Sequence, residues 1–333
     1  MPEALLPAEI ATYLERAHLV DARVIPLTGD ASDRRYFRVV PVAGPSIVLA
    51  LHAAPFDAAT LPFVNVAALF QAIGVPIPRI LGEHGDLGIL VLDDLGDVTL
   101  QAHLGTTSDA ERNAFYARAV SYIGLMQSRG RDQDPARFLP YGLAFDQARL
   151  MWEMEFFITH FLEAYRGAAL ASASRDVLTA ELREVVRELA AQPRVLCHRD
   201  YHSRNLMVRG ERLFVIDFQD ARMGPDTYDL VSLLRDSYVD LPELLVDQTI
   251  AAFATAREGR GTQAELRGRF DLMALQRNLK ALGTFGFQAT SRGNPAYAAY
   301  VPRTLRYVRT NLERNPRFAR LREALAAAVP ELG

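Results

Sequence analysis

The sequence predicts an α+β chain with an antiparallel sheet and helices near its N-terminus, followed by a mostly helical remainder. In the first part, short runs of β-branched and aromatic residues alternate with turns that contain glycine or proline, which is typical of strands. From about residue 97, apolar residues recur at three- and four-residue spacing, which is typical of helices packed on a core. We therefore expect two domains, residues 1–94 and 95–333.

The N-terminal part contains two segments with helical spacing among the predicted strands. Gly74 stands where a helix C-cap is favoured, and Pro76 and Pro78 prevent continuation of the second helix. The predicted helices are 8–19 and 61–73, and the predicted strands are 23–27, 36–40, 47–51, 79–82 and 89–92. We interpret residues 93–96, Asp-Asp-Leu-Gly, as a hinge between the two parts.

The C-terminal part is predicted to be helical except for a short β region around residue 205. The predicted helices are 108–127, 145–165, 174–191, 228–238, 244–254, 263–287, 296–312 and 318–328. The predicted strands are 195–197, 206–208 and 213–216, the last two joined as a hairpin.

Length, composition and net charge favour a folded protein that binds a small molecule over a nucleic-acid-binding or membrane protein. With 333 residues and 50% hydrophobic residues, the chain can bury the core of one large domain or of two lobes. A net charge of -3 gives no indication of a nucleic-acid surface or of attachment to anionic lipid. Cys197 is the only cysteine, and no run of apolar residues is long enough to span a membrane. We expect a cytoplasmic protein that binds a small molecule; its oligomeric state is left open, and a monomer fits the sequence.

The run Cys-His-Arg-Asp-Tyr-His-Ser-Arg-Asn at residues 197–205 is followed, at the end of the predicted hairpin, by Asp217. This spacing is what a kinase catalytic loop requires. Asp200 is the expected general base, or the residue that aligns the acceptor hydroxyl. Asn205 and Asp217 would bind Mg²⁺ through oxygen, the ligand type that a hard cation prefers. The sequence therefore predicts phosphoryl transfer from ATP.

Four residues around this motif are candidates for contact with the phosphate acceptor. His202 and Arg204 lie between the expected base and metal ligand, so either one faces the substrate or both belong to a solvated loop. Gln219 and Asp220 follow the metal-binding aspartate, where they either meet substrate hydroxyls or orient the loop. His198 and Arg199 are expected to be structural.

The motif and two later segments resemble the aminoglycoside phosphotransferase and choline kinase superfamily, which has a two-lobed protein-kinase-like fold. The segments are 197–205, 215–220 and 228–236. A further set is similar to the bacterial N-acetylmuramate/N-acetylglucosamine anomeric kinases, namely 28–38, 198–208, 217–221 and 276–283. This resemblance implies ATP-dependent phosphorylation of the C1 hydroxyl of an N-acetylated amino sugar, giving the α-1-phosphate used in cell-wall sugar recycling. It also implies that residues 1–94 bind nucleotide and that 95–333 carry catalysis and the substrate.

One feature departs from ordinary kinases: the strand 47–51 has no lysine to meet the nucleotide phosphates, and the only lysine of the chain is Lys280. Arg34, Arg35 or Arg38 could supply this charge with bidentate geometry. Strand alternation places Arg35 and Arg38 on opposite faces, so at most one of these two points at ATP. The alternative is that all three are surface arginines.

The remaining candidate contacts follow from the resemblance. Ser32 belongs to the segment expected to cover the phosphates. The adenine is expected at residues 92–95, with the chain at Asp93 and Leu95 beside it. Apolar walls would come from Ile47, Leu49 and Leu90.

Two residues of the helical part complete the candidate acceptor contacts. Glu155 lies on the segment 151–157, whose aromatic residues we expect in the core, and could bond a hydroxyl. Arg235 is a candidate for contact with a sugar carboxylate, whereas Asp229 is expected to anchor the catalytic loop.

Two alternatives remain open at the sequence level. The acceptor could be an aminoglycoside, a choline-like amine or another sugar, and which N-acetyl sugar is preferred is also open. The chain could instead be a pseudokinase that binds nucleotide and regulates a partner, which the missing strand lysine favours. Retention of Asp200, Asn205 and Asp217 together argues against that function.

Overall fold

The computed structural model describes residues 6–27, 34–257 and 261–333. The chain divides into two compact units, the first formed by Met1–Val98 with Met207–Gln219 and the second by Thr99–Leu206 with Asp220–Gly333. The boundary near residue 94 stays a prediction, and the return of residues 207–219 to the first unit is not apparent from the sequence.

The elements that the structure describes agree with most of the predicted ones. The strands are β1 (Arg23–Leu27), β2 (Arg35–Val40), β3 (Ile47–Leu51), β4 (Ile80–His84), β5 (Ile89–Asp93), β6 (Arg194–Cys197), β7 (Leu206–Arg209), β8 (Arg212–Val215) and β9 (Arg222–Pro225). The α-helices are α1 (Ala8–Arg16), α2 (Pro62–Ile73), α3 (Leu100–His103), α4 (Asp109–Arg129), α5 (Gln147–Phe157), α6 (Ser172–Ala190), α7 (Tyr228–Leu234), α8 (Glu243–Thr255), α9 (Gln263–Thr290), α10 (Val301–Arg314) and α11 (Ala319–Ala326).

The first unit is built on a five-stranded antiparallel sheet with strand order β1-β2-β3-β5-β4. One face of the sheet packs against the apolar stripe of α1, formed by Ile10, Tyr13 and Leu14. The apolar side of α1 and the apolar face of the strands pack together here, because each must be covered by another element to be removed from solvent. The N-terminal sheet and the mostly helical remainder are confirmed.

The register of the sheet corrects one predicted nucleotide contact. Leu49 lies opposite Phe37 and Val91, and all three belong to the buried cluster under α1. Leu90 lies opposite Ala50, on the other face of the sheet. Residues that face each other across strands share a face, so Leu49 and Leu90 cannot line the same pocket. The prediction that Leu49 contacts adenine beside Leu90 is therefore wrong.

Helix α2 fixes the segment that contains Asp217. The helix begins with a proline and ends at Gly74, whose φ of 80° makes the left-handed C-cap. The rings of Phe63 and Phe70 lie 4.7 and 5.5 Å from the ring of Phe218. The β7–β8 hairpin is attached to the same unit by hydrogen bonds from Val208 N to Val98 O and from Val215 N to Pro76 O, each 2.8 Å.

The second unit is organised around α9, the longest helix described. A capping box of Thr262 and Glu265 starts it. Gly283 and Gly286 bring it against the backbone that follows α5. A Cβ atom at Gly286 would lie 2.3 Å from the carbonyl oxygen of His160, and one at Gly283 would lie 2.9 Å from the Cα of Phe157.

Two local predictions differ from the structure. The predicted helix 145–165 is α-helical only to Phe157 and continues as a π-helical segment, Ile158–Tyr165. Strand β9, which pairs antiparallel with β6, was missed because its Gly224-Pro225 end has the composition of a turn. At Gly224 a Cβ atom would approach the Phe145 ring to 2.7 Å, so the glycine is required for close packing.

Among the helices of the described residues, none has the length and apolar character needed to cross a membrane.

Gly286 should tolerate no side chain. We expect Gly286→Ala to lower the free energy of unfolding by about 1–3 kcal/mol, because the added methyl group meets backbone that cannot move aside cheaply. The matched control is Gly124→Ala on α4, where nothing lies within 4 Å of the new Cβ and helix propensity should add up to ~1 kcal/mol. Urea denaturation measures both. Equal midpoints for Gly286→Ala and the wild type would contradict the close approach of the two backbones.

Candidate active site

The catalytic loop leaves β6 and is held by the carboxylate of Asp229, in the first turn of α7. Asp229 accepts hydrogen bonds from the backbone N–H groups of His198 at 2.7 Å and Arg199 at 3.1 Å. Burial raises the pKa of Asp229 to about 7, and the two N–H donors oppose that shift. The predicted role of Asp229 as an anchor of the loop is confirmed.

A second carboxylate holds the other half of the loop. Asp236 accepts from the backbone N–H of Ser203 at 2.9 Å and from its hydroxyl at 2.5 Å. Between the two anchors, Arg199 adopts a left-handed backbone with φ 87°. Such a conformation costs about 1–3 kcal/mol for a residue with a side chain. The two anchors offset this strain and thereby fix the direction in which Asp200 leaves the chain.

Asp200 is surrounded by cations. Its Oδ1 lies 3.3 Å from a terminal nitrogen of Arg277 and 3.5 Å from Nζ of Lys280. Its Oδ2 lies 3.6 Å from Nε of Arg199. Burial alone would raise the pKa of Asp200, but Lys280, Arg277 and Arg199 lower it well below its ordinary value. The carboxylate is therefore ionised at neutral pH and can accept a hydrogen bond from a hydroxyl group.

Sequence reasoning missed Arg277 and Lys280 as site residues. Both belong to α9, and they reach Asp200 from 77 and 80 residues further along the chain. A signal was present, because Lys280 is the only lysine and both lie in the segment 276–283.

The side chain of Asn205 is held by the backbone of the catalytic loop. Its Nδ2 donates to the backbone carbonyl of Asp200 at 2.9 Å, which turns the amide oxygen to the opposite side. An amide oxygen is an acceptable ligand for Mg²⁺. The side-chain chemistry of Asn205 thus fits the predicted role.

Asp217 lies in the first unit and has a left-handed backbone, φ 61°. Its Oδ1 accepts from Nε2 of Gln219 at 2.8 Å and lies 3.8 Å from the Arg34 guanidinium. Within the described residues no three His, Cys, Asp or Glu side chains form a metal cluster. Mg²⁺ in nucleotide sites uses one or two protein carboxylates together with phosphate oxygens, so Asp217 fits this ion.

Arg34 is the arginine of its segment that lies next to Asp217. Its guanidinium lies 6.0 and 5.8 Å from the ring centres of Tyr36 and Phe63. Burial and the charge of Arg34 lower the pKa of His52, the residue directly after β3. The positive charge of Arg34 is thus present where the strand lysine is missing.

The other two arginines point elsewhere, on opposite faces of β2 as predicted. Arg35 is exposed and its guanidinium lies 5.2 Å from the Phe37 ring. Arg38 forms ion pairs with Asp94 at 2.7 Å and Asp97 at 2.8 Å. Their charges are therefore committed to contacts within the sheet and the segment that follows it.

The remaining predicted nucleotide contacts lie at the end of β5 or outside the described residues. The carboxylate of Asp93 binds the Arg79 side chain at 2.7 Å, and its backbone N–H donates to Arg79 O. Leu95 is buried. Ser32 lies outside the described residues. Contact of Asp93 and Leu95 with a nucleotide stays a prediction.

His202 and Arg204 meet in an aromatic cluster of the second unit. The His202 ring lies edge-on to Tyr238 at 5.1 Å, and the Arg204 guanidinium lies 4.0 Å from the centre of the Tyr238 ring. Arg204 also donates to Gln101 at 2.8 Å and to the Tyr300 hydroxyl at 2.6 Å. The catalytic loop therefore continues directly into a surface of rings and hydrogen-bonding groups.

Asp220 and Gln219 each contact another candidate residue of their own unit. Asp220 pairs with Arg199 at 2.8 Å, and Arg222 lies 3.6 Å from its other oxygen. Gln219 bonds Asp217, as described above. Their contacts correspond to the alternative in which these residues orient the loop.

Glu155 and Arg235 have contacts outside the cation cluster. Glu155 lies 3.3 Å from Arg175. Arg235 is buried and binds both oxygens of Glu243, at 2.7 and 2.9 Å. Glu153, buried on α5, is a further carboxylate whose charge acts on Arg277 and Lys280, two of the cations around Asp200.

The environment of His202 predicts a neutral ring at physiological pH. Burial lowers the pKa of His202 to about 3, with Arg277 and Lys280 adding to the effect and Asp200 opposing it. The pKa of His202 in the folded protein lies below the unfolded value of about 6.5. The contribution of the neutral His202 ring to the free energy of unfolding is therefore complete above pH 6.5 and is lost as the pH falls towards 3.

We expect the ring resonances of His202 to remain unchanged between pH 8 and 5 in an NMR titration. We also expect the unfolding free energy of His202→Gln to fall less steeply than that of the wild type between about pH 6.5 and 4, since the variant has no imidazole to protonate on unfolding. A His202 resonance that titrates near pH 6.5 would show that the ring is solvated.

Solved structures with the same architecture include an aminoglycoside phosphotransferase and a choline/ethanolamine kinase family protein. An ADP-bound aminoglycoside phosphotransferase has a TM-score of 0.61 at 13% identity, covering 91% of this chain and 97% of that one. A choline/ethanolamine kinase family protein from Mesorhizobium loti has a TM-score of 0.58 at 19% identity, covering 97% and 99%. These likenesses confirm the predicted protein-kinase-like fold.

Sequence comparison gives the family. The chain is 34% identical to the N-acetylmuramate/N-acetylglucosamine kinase of Pseudomonas aeruginosa, over 92% of this chain and 88% of that protein. It is 32% identical to the kinase of the same name from Neisseria meningitidis, over 90% and 89%. Residues 23–270 match the model of the phosphotransferase enzyme family. The chain belongs to the phosphotransferase enzyme family.

Proposed function

We propose that this protein is an ATP-dependent kinase that phosphorylates the C1 hydroxyl of N-acetylmuramate or N-acetylglucosamine, giving the α-1-phosphate. The observation that carries the proposed chemistry is Asp200, an ionised carboxylate at the motif position of a catalytic base, in a loop held by Asp229 and Asp236. The names of the relatives from Pseudomonas aeruginosa and Neisseria meningitidis support the choice of acceptor. The product would enter cell-wall sugar recycling in the cytoplasm.

In the proposed reaction, the C1 hydroxyl donates a hydrogen bond to Asp200 and its oxygen attacks the γ-phosphorus of ATP. The bond from that phosphorus to the β,γ-bridging oxygen breaks, and ADP leaves with the electron pair. The hydroxyl proton passes to Asp200 and then to solvent. Because nearby cations make Asp200 a weak base, its main contribution is to align the hydroxyl, which a loose transition state requires.

Asn205 and Asp217 are the proposed Mg²⁺ ligands. The amide oxygen of Asn205 is oriented by the bond from Nδ2 to Asp200 O, and the carboxylate of Asp217 is oriented by Gln219. A bound Mg²⁺ would neutralise charge on the phosphate oxygens of ATP.

Arg34 is the proposed substitute for the missing strand lysine. Its proximity to Asp217 and its effect on His52 support this role. Arg35 and Arg38 are disfavoured because the first is exposed on the face under α1 and the second is paired with two aspartates. Backbone groups near Asp93 and Leu95 remain the proposed adenine contacts, with Ser32 covering the phosphates.

The surface formed by His202, Arg204, Tyr238 and Tyr300 is the proposed acceptor site. Aromatic faces suit the C–H face of a pyranose, and guanidinium and phenol groups suit its hydroxyl and acetamido oxygens. His202 follows Asp200 closely in the loop, with its N–H bonded to the carbonyl of Asp200 at 3.0 Å. The proximity in the chain supports an acceptor held beside the base.

The charge around Asp200 favours a neutral or anionic acceptor over a cationic one. Arg199, Arg277 and Lys280 all lie within 3.6 Å of its carboxylate, and Arg204 lies in the adjoining cluster. A polycationic aminoglycoside would meet like charge here, which is unfavourable. N-acetylglucosamine is uncharged, and N-acetylmuramate carries a carboxylate.

The acceptor can be identified by incubation with ATP, Mg²⁺ and a panel of N-acetylglucosamine, N-acetylmuramate, kanamycin and choline. We expect ADP release with the two N-acetyl sugars, together with loss of the reducing end, because C1 becomes esterified. Asp200→Asn should lower kcat by roughly 10²–10⁴ while nucleotide binding persists, since a neutral amide neither aligns the hydroxyl as a carboxylate does nor accepts its proton.

Two outcomes would count against this function. A phosphorylated product that still reduces copper would exclude C1 as the site of transfer. A wild type that binds ATP but releases no ADP with any acceptor would favour the pseudokinase alternative.

The role of Arg34 is tested by comparing Arg34→Ala with Arg35→Ala. Loss of a charge-assisted contact to phosphate should raise the KM for ATP by roughly tenfold or more in Arg34→Ala. Arg35→Ala is the matched control, because it removes an arginine of the same segment from the opposite face of the sheet. The KM for ATP is measured by steady-state kinetics at saturating acceptor. Equal values for Arg34→Ala and Arg35→Ala would show that Arg34 does not contact the nucleotide phosphates.

A further inference from the structure

Two cations on one face of α9 meet a single oxygen of Asp200. Arg277 and Lys280 are three residues apart, a spacing that places side chains on the same face of a helix. Both reach Oδ1, at 3.3 and 3.5 Å. Arg277 is buried and Lys280 is largely covered, with 16% of its side chain exposed.

The two cations differ in what else holds them. Nε of Arg277 donates to the Ser232 hydroxyl at 3.1 Å, and its guanidinium lies 5.8 Å from the Tyr228 ring centre. Arg277 is therefore fixed by α7 independently of Asp200. In the described residues, the hydrogen bond that the structure gives to Nζ of Lys280 is the one to Asp200.

The cluster is balanced by a carboxylate that the catalytic mechanism does not use. The negative charge of Glu153, buried on α5, acts to raise the pKa of both Arg277 and Lys280, and its carboxylate accepts a hydrogen bond from Gln276 at 2.8 Å. Burial lowers the pKa of Lys280, while Asp200 and Glu153 oppose that shift. Asp200, 3.5 Å from Nζ, and Glu153 therefore both favour the charged form of Lys280 against the effect of burial.

The choice of residue type is informative in this chain. Lysine and arginine together number 37, and Lys280 is the single lysine among them. A guanidinium is a planar fork that tends to bind both oxygens of a carboxylate, whereas an ammonium is a compact charge that can contact one. At Lys280 an ammonium can hold Oδ1, and Oδ2, which lies 3.6 Å from Nε of Arg199 and so outside hydrogen-bond distance of it, can accept from another donor.

We propose that Lys280 is a positioning residue for phosphoryl transfer, whose ammonium holds Oδ1 of Asp200 so that Oδ2 faces the acceptor hydroxyl. This inference rests on the proposed function, in which Asp200 receives that hydroxyl. Arg277 provides a fixed support for the same oxygen, and Lys280 sets the rotation of the carboxylate.

The test uses Lys280→Met, Lys280→Arg and Lys280→Ala in the full chain, assayed with N-acetylglucosamine, ATP and Mg²⁺. We expect Lys280→Met to lower kcat at least tenfold with the KM for ATP changed less than twofold. Lys280→Arg keeps the charge, but its kcat should also fall at least tenfold, because the planar guanidinium would bind Oδ2 as well as Oδ1. Propylamine should restore part of the kcat of Lys280→Ala, since a free ammonium can enter the vacated space.

Arg309→Met is the control, because it removes a cation from α10 that pairs only at the surface with Glu313 and should leave kcat unchanged. Unfolding and ATP-binding measurements establish that each variant is folded. Wild-type kcat in both Lys280→Met and Lys280→Arg would overturn the proposal, as would a loss in Lys280→Ala that propylamine does not relieve.

Crystal structures of the wild type and Lys280→Met separate this inference from the proposed function. We expect the Asp200 carboxylate to rotate in the variant, with Oδ2 no longer in its wild-type direction. An unchanged carboxylate would overturn the positioning role even if the kinase is fully active. A wild type without turnover on any acceptor would defeat the proposed function, and the two structures would still decide the role of Lys280.

Discussion

The Asp229 carboxylate accepts hydrogen bonds from two backbone N–H groups, and the geometry of the catalytic loop depends on this interaction. It fixes the chain at His198 and Arg199, directly before Asp200, and it holds Arg199 in a backbone conformation that a residue with a side chain rarely adopts. A buried carboxylate is stable only when its oxygens are bonded. The loop and its anchor therefore require each other, since the N–H groups need an acceptor and Asp229 needs donors.

The ions around Asp200 form a connected set in which few charges can be changed alone. Arg199 is shared between Asp200 and Asp220, and the charge of Glu153 acts on Arg277 and Lys280, which both contact Asp200. Removal of one partner leaves another charge buried without compensation, which is more costly than the loss of the pair itself. The proposed preference for a neutral or anionic acceptor rests on the cations of this set, Arg199, Arg277 and Lys280.

Roles can be proposed from the sequence for residues within one short motif, whereas contacts that depend on packing cannot be read from it. Asp200, Asn205 and Asp217 are recognisable from spacing alone. Arg277 and Lys280 are not, because their contact with Asp200 exists only once α9 is packed. Leu49 illustrates a second limit of prediction from sequence. Alternation indicates that Leu49 and Leu90 each face one side of the sheet, but the strand register is needed to show that these are opposite sides. The missed strand β9 and the π-helical turn after α5 likewise arise from tertiary contacts that override local composition.

The positions of Arg277 and Lys280 relative to Asp200 therefore depend on the close packing of two glycines further along α9. Gly283 lies one turn beyond Lys280 on α9 and touches the backbone at Phe157, while Gly286 touches His160. These contacts fix how far α9 lies from α5, and hence the distance of Arg277 and Lys280 from both Glu153 on α5 and Asp200 on the loop. A side chain at either glycine would push α9 outward, and an ion contact of 3.5 Å cannot absorb such a displacement without losing its hydrogen bond. Close backbone packing and the direction of the catalytic carboxylate are thus set by the same helix.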